Sequence, residues 1–180
     1  MKRRTCRPAS RSRNLYWYGQ ASELRNAKIG QEYFDKGIAI DAEKAMAMHV
    51  QACDRNDFMA CATLGNIYAV AKRYGKAIQL LQRACDGGNL VGCGNLGYAY
   101  DTGRGVAKDE AKAVALYQKA CDGGEVRGCY NLGGSYFEGH GVAKDDVKAA
   151  QLAKMACDGG DPGGCARYWD IRSKKSRRRP

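Results

Sequence analysis

Nine cysteines and two histidines carry the most distinctive chemistry in this 180-residue chain, and eight of the cysteines are regularly placed. They fall into four pairs, Cys53/Cys61, Cys85/Cys93, Cys121/Cys129 and Cys157/Cys165, with seven residues inside each pair. Cysteine at this density serves disulfide bonding, metal ligation or thiol nucleophilicity. A zinc site needs cysteines at C-x2-C-like spacing or histidine partners. His49 and His140 stand apart from any such group, so neither a metal nor another cofactor is expected. Reduced thiols would act as small apolar packing groups, which leaves the strict pairing without a cause. Disulfide bonding gives it one, and eight cysteines then allow 105 connectivities. Cys6 falls outside the pattern, among arginines that lower a thiol pKa, and reads as a spectator.

The remaining polar residues assemble no catalytic pattern. An S-x-x-K nucleophile needs lysine one helical turn after serine, and no serine here has lysine three residues on. The acidic pairs Asp109/Glu110 and Asp145/Asp146 sit where helices should start, so capping and the helix dipole account for them. The Gly-x-Gly runs TGRGV and EGHGV precede helices but lack the strand and lysine of a phosphate-binding loop. No catalytic residue is assigned, and an enzyme is not expected from the residues alone.

The elements that must position the cysteines come in copies. Residues 84–124 recur 36 residues later as residues 120–160, and a period of this size marks units that bury their apolar faces by stacking. In the clearest unit, Leu96 and Tyr100 lie four apart on one face of a first helix, A, with Gly97 permitting close approach of a neighbour. Gly103 and Gly105 predict a reversal. Asp109 should cap a second helix, B, whose Ala113, Leu116, Tyr117 and Ala120 form a buried stripe. Gly123 and Gly124 supply a left-handed stop. Earlier copies are degenerate: the unit from Ile29 keeps Gly30, Tyr33, Gly37 and Asp41, and the next keeps Leu64, Gly65 and Tyr68 with a loop about four residues shorter. The last segment opens a helix A and should cap the stack, Trp169 covering apolar surface.

The run L-G-x-x-Y-x-x-G-x-G-V stands intact at Leu96 to Val106 and again at Leu132 to Val142. It resembles the Sel1-like repeat, a relative of the tetratricopeptide repeat, over roughly residues 24–171. With its C-x7-C spacing the chain is similar to the cysteine-rich Sel1-like group known from Helicobacter. The resemblance implies an all-α, right-handed solenoid of about four αα-hairpins plus a C-terminal capping helix, stapled by one disulfide per unit. The pairs would be Cys53–Cys61, Cys85–Cys93, Cys121–Cys129 and Cys157–Cys165, and a short Gly-rich turn between helix B and the next helix A suits that local pairing. It implies a scaffold for a protein or peptide partner. The alternative, since some of that group bind penicillin-like compounds, is an extracytoplasmic binder of β-lactams or peptidoglycan fragments with weak β-lactamase activity. On the outward-facing side of each helix A, the ligand-lining candidates of the concave face are Phe34, Asn66, Tyr98, Asp101, Tyr130, Phe137 and Glu138.

The net charge of +11 belongs to the ends. Residues 1–25 carry seven bases against Glu23, residues 172–180 carry six bases and no acid, and residues 26–171 hold 17 bases and 18 acids. The expected organisation is therefore a disordered basic segment over 1–22, a repeat domain over 23–171, and a disordered basic tail over 172–180. Its repeats fall at about 24–56, 57–88, 89–124 and 125–160, with the capping helix at 161–171. No specific nucleic-acid partner, no membrane span and a monomer are expected, because the charge is not gathered on a folded face and no run reaches about 20 apolar residues. The cysteines imply an oxidising compartment, secreted or periplasmic, or the mitochondrial intermembrane space in a eukaryote. No apolar signal-peptide core follows the basic start.

Overall fold

The structure is a computed structural model that describes the backbone of residues 39–177 and the side chains of residues 45–173. Cys6, Phe34, the helix A expected after Ile29, and the terminal stretches 1–22 and 178–180 lie outside the described residues. Every regular element among those described is a helix: α1 (Ala39–Asp54), α2 (Phe58–Val70), α3 (Tyr74–Asp86), α4 (Leu90–Thr102), α5 (Glu110–Asp122), α6 (Val126–Glu138), α7 (Asp146–Asp158) and α8 (Pro162–Arg177). Three complete hairpins, α2–α3, α4–α5 and α6–α7, stack between a helix B, α1, and a helix A, α8. Each helix A also touches the helix A of the next hairpin, as α2 does α4 and α4 does α6, so the A helices form the inner layer of the stack.

Local chemistry sets the boundaries. Asp109 and Asp145 hold extended backbone ahead of α5 and α7, and their carboxylates accept from Lys112 N and from Val147 N and Lys148 N at 2.9 Å. Asp57, Asn89 and Glu125 do the same for α2, α4 and α6. These contacts satisfy amides that a helix leaves without internal partners. Helices α4 and α6 end on Gly103 and Gly139 at φ of +70 and +82, where the left-handed turn is free of a Cβ penalty. Between α2 and α3 the chain turns through residues 71–73 alone, with Lys72 at φ +58, in place of the seven-residue loop 103–109.

The core is a row of equivalent positions. Leu64, Leu96 and Leu132 are at most 1% exposed, Tyr117 is equally buried, and alanines at 77, 84, 113, 120, 149, 153 and 156 let the helices approach. A Cβ on Gly97 would stand 2.9 Å from the Tyr117 ring, and one on Gly128 would stand 2.7 Å from the Ala120 Cβ and 2.9 Å from Cys121 N. Each disulfide ties the last turn of a helix B to the first turn of the next helix A: Cys53–Cys61, Cys85–Cys93, Cys121–Cys129 and Cys157–Cys165, with Cα separations of 4.4 to 4.8 Å. Those separations lie at the short end of what a disulfide spans without moving the backbone.

Two expectations change at the C-terminal end. Trp169 is 58% exposed and does not cover the stack; Ile171, 5% exposed, takes the buried position instead. The reason is register, because Ile171, three residues and just under one helical turn beyond Tyr168, returns to nearly the same face, whereas Trp169 is rotated about 100° away from Tyr168. Helix α8 also continues to Arg177, past the expected boundary at 171. Lys, Arg and Ser tolerate helix, and no glycine or proline interrupts the run.

Candidate interaction face

The inner layer is built from positions that repeat around the helix A cysteines. Two residues after each stand Thr63, Asn95, Asn131 and Arg167; five residues after stand Asn66, Tyr98, Gly134 and Asp170. In a helix these positions lie one turn apart on one face, so residue five of one unit meets residue two of the next. The Asn95 amide donates to Asn66 Oδ1 at 2.8 Å, joining α4 to α2. Arg167 repeats the contact two hairpins on, where its guanidinium lies over Gly134 and the Tyr130 ring, 4.2 Å from the ring centroid, and donates to Tyr130 O at 2.6 Å.

The ligand-lining candidates therefore separate by what already holds them. Tyr98 is 42% exposed, with the Arg104 guanidinium 5.3 Å from its ring centroid. Glu138 is exposed and lies 3.2 Å from His140 Nδ1. Asn66, Tyr130, Phe137 and Asp101 are half-buried: Asn66 on Asn95, Tyr130 beneath Arg167, Phe137 with Lys144 Nζ 5.0 Å from its ring centroid, and Asp101 accepting from Tyr117 Oη at 3.4 Å. Phe34 is outside the described residues. Asn95 and Arg167 were not anticipated as part of this face. Their trace in the sequence is that a polar residue stands two positions after each helix A cysteine, Thr63, Asn95, Asn131 and Arg167.

One polar cluster bridges neighbouring units. Carboxylate oxygens of Asp101 and Glu110 and a ring nitrogen of His140 all lie within 4.8 Å of one another. Each has a protein partner: Lys108 Nζ is 2.6 Å from Glu110, Tyr117 donates to Asp101, and Glu138 pairs with His140. The Lys108 hydrogen bond holds the Glu110 carboxyl below its ordinary range, and the same bond raises the Lys108 ammonium. Burial, aided by the Asp101 charge, pushes the Tyr117 phenol up. The arrangement is an inter-unit polar lock. Ser135, buried on α6, donates its hydroxyl to Asn131 O at 3.3 Å within its own helix.

Aromatic rings recur at the ends of the A helices, each clasped by a lysine of its own helix B. Lys112 Nζ lies 4.1 Å from the Tyr100 centroid, Lys148 5.0 Å from Tyr136, and Lys76 5.6 Å from Tyr68. These cation–π contacts, joined by a 2.7 Å hydrogen bond from Lys112 to Tyr100 Oη, hold the loop edge of the three hairpins described in full. No helix among the described residues is long and apolar enough to cross a membrane.

Comparison with known proteins places this architecture. The Sel1 repeat model matches residues 26–57, 64–89, 91–125 and 126–161. A Sel1 repeat protein from Oxalobacter formigenes is similar at 25% identity and a TM-score of 0.64, over 67% of this chain and 49% of its own. The protein c5321, a protective antigen of uropathogenic Escherichia coli with an SLR fold, is similar at 28% identity and a TM-score of 0.71, over 89% of this chain and 36% of its own. The cysteine rich protein B of Helicobacter pylori is similar at 32% identity and a TM-score of 0.56, over 70% of this chain and 93% of its own. The chain thus spans about half the length of the Oxalobacter protein and about a third of c5321. A comparison with curated proteins gives no significant match. Four repeats matched in sequence, three of them described as complete stacked hairpins, with a disulfide at each helix B to helix A junction, establish that the chain belongs to the Sel1 repeat family.

Proposed function

We propose that the chain is an interaction scaffold that holds an extended peptide segment of a partner protein along the inner face of its A helices. The carrying observation is the exposed Tyr98 ring between polar rungs, Asn66–Asn95 on one side and Arg167–Tyr130 on the other. Amide and guanidinium groups suit a peptide backbone, which offers donors and acceptors along its whole length, and an exposed ring provides one apolar anchor. Asp101, Phe137 and Glu138 stand at the loop edge of this face, and Phe34, outside the described residues, is the proposed contact of the first repeat. The partner meets one copy of the chain, in an oxidising, extracytoplasmic compartment, as the four disulfides and the cysteine-rich Helicobacter relative favour.

Random peptides displayed against the oxidised chain, followed by titration of the selected peptide by fluorescence polarisation, test this. Tyr98→Ala and Asn95→Ala should each weaken binding about tenfold, or about 1.4 kcal/mol. Gln151→Ala, on the exposed outer surface of α7, should leave it unchanged. Selected peptides that bind all three variants like the parent would sink the proposal.

A further inference from the structure

Three of the four disulfides are roofed by the hairpin that follows them. The residue opening each helix A lies inside the disulfide ring, and it packs on the glycine ending the next helix B: Phe58 on Gly87, Leu90 on Gly123 and Val126 on Gly159. Basic side chains add to the first two roofs. Arg83 donates to Asp54 O at 3.3 Å and Asn56 Oδ1 at 3.0 Å, and Lys119 Nζ lies 2.9 Å from Cys85 O and 3.8 Å from Cys85 Sγ. The six cysteines concerned are at most 4% exposed. Pro162 holds the same position in the fourth ring and is exposed; among the described residues no helix follows α8 to cover it. Cys157 and Cys165 are both partly exposed.

We infer that the Cys157–Cys165 bond is the chain's site of thiol–disulfide exchange, with a dithiol reductant as its reaction partner. The two sulfurs are not equivalent. Cys165 lies in the first turn of α8, at the positive end of the helix dipole, which favours a thiolate, whereas Cys157 ends α7 at the negative pole. The incoming thiolate therefore bonds to Cys157 Sγ, and Cys165 leaves with the electron pair of the broken S–S bond. The reductant's second thiolate then attacks its own sulfur in the mixed disulfide and releases Cys157. The dithiol becomes a disulfide, and the protein pair becomes two thiols that take up the two protons. Helix α8 then remains on the stack without a covalent tie, through Ile171, the alanine face of α7 and the Arg167–Tyr130 contact.

The test uses the oxidised, folded chain with free thiol blocked by N-ethylmaleimide, then graded dithiothreitol, a quench with isotopically distinct maleimide and peptide mapping. Cys157 and Cys165 should acquire the second label at least tenfold faster than the other six. Equal rates, or earlier labelling of another pair, would overturn the assignment. A brief pulse of glutathione, then quenched with excess maleimide, resolves the direction: glutathione on Cys157 and maleimide on Cys165 is expected, and the reverse pattern would refute the directional step.

Discussion

The packing of this chain is decided at single glycines and one tyrosine. Gly128 has backbone atoms of Cys121 and Ala120 where a Cβ would go, the nearest of them at 2.9 and 3.1 Å, and backbone cannot move aside as a long side chain can. Gly128→Ala should cost about 1 to 3 kcal/mol in chemical denaturation; an unchanged midpoint would mean that the α5–α6 junction is looser than described. Tyr117 gives a pH signature. Its folded-state pKa is raised by burial and then by Asp101, so its contribution is whole below the unfolded value of about 10 and is lost as pH rises beyond it. Denaturation midpoints from pH 8 to 11 should fall in the parent and fall less steeply in Tyr117→Phe. Much of this scale was legible: Tyr117 sat on the predicted stripe and Gly97 beside a predicted contact. Asn95 and Arg167 were not, because a polar residue on an inner face carries no periodic apolar signal and shows its role only once two units are stacked. Trp169, expected to cover the end of the stack, is instead turned to solvent by its position on α8.

Among the elements, boundaries were the most readable property, since they follow from side chains acting on their own backbone. The capping aspartates and the left-handed glycines stand where the repeat predicts. Asp109→Ala and Asp145→Ala should each remove about 1 kcal/mol, with the loss confined to stability and no change in helical content by circular dichroism at low temperature. The disulfides act between elements. Each closes a ring of nine residues, for which loop-entropy arguments give about 2.5 kcal/mol. Replacing Cys121 and Cys129 together by serine should lower stability by about that amount or more, because both sites are buried. A double variant as stable as the parent would show that the stack is held by packing alone. The end of α8 was less readable: a run of like charges suggests a solvated tail, but nothing in Lys or Arg stops a helix that packing has already started.

For the whole molecule, repetition made the architecture legible before any coordinate was known. Identical units admit few arrangements, and a copied sequence must stack on itself in the same way each time. What repetition hides is everything that differs between copies: the Asp101–Glu110–His140 lock, the open fourth disulfide and the identity of whatever lies along the inner face. The central claim is that four local disulfides make this Sel1 array a rigid frame. Alkylation of the native-source protein under denaturing, non-reducing conditions, followed by intact mass measurement, tests it most directly. The account predicts one modified cysteine, Cys6, with the other eight protected as four pairs. Nine modified cysteines would contradict it.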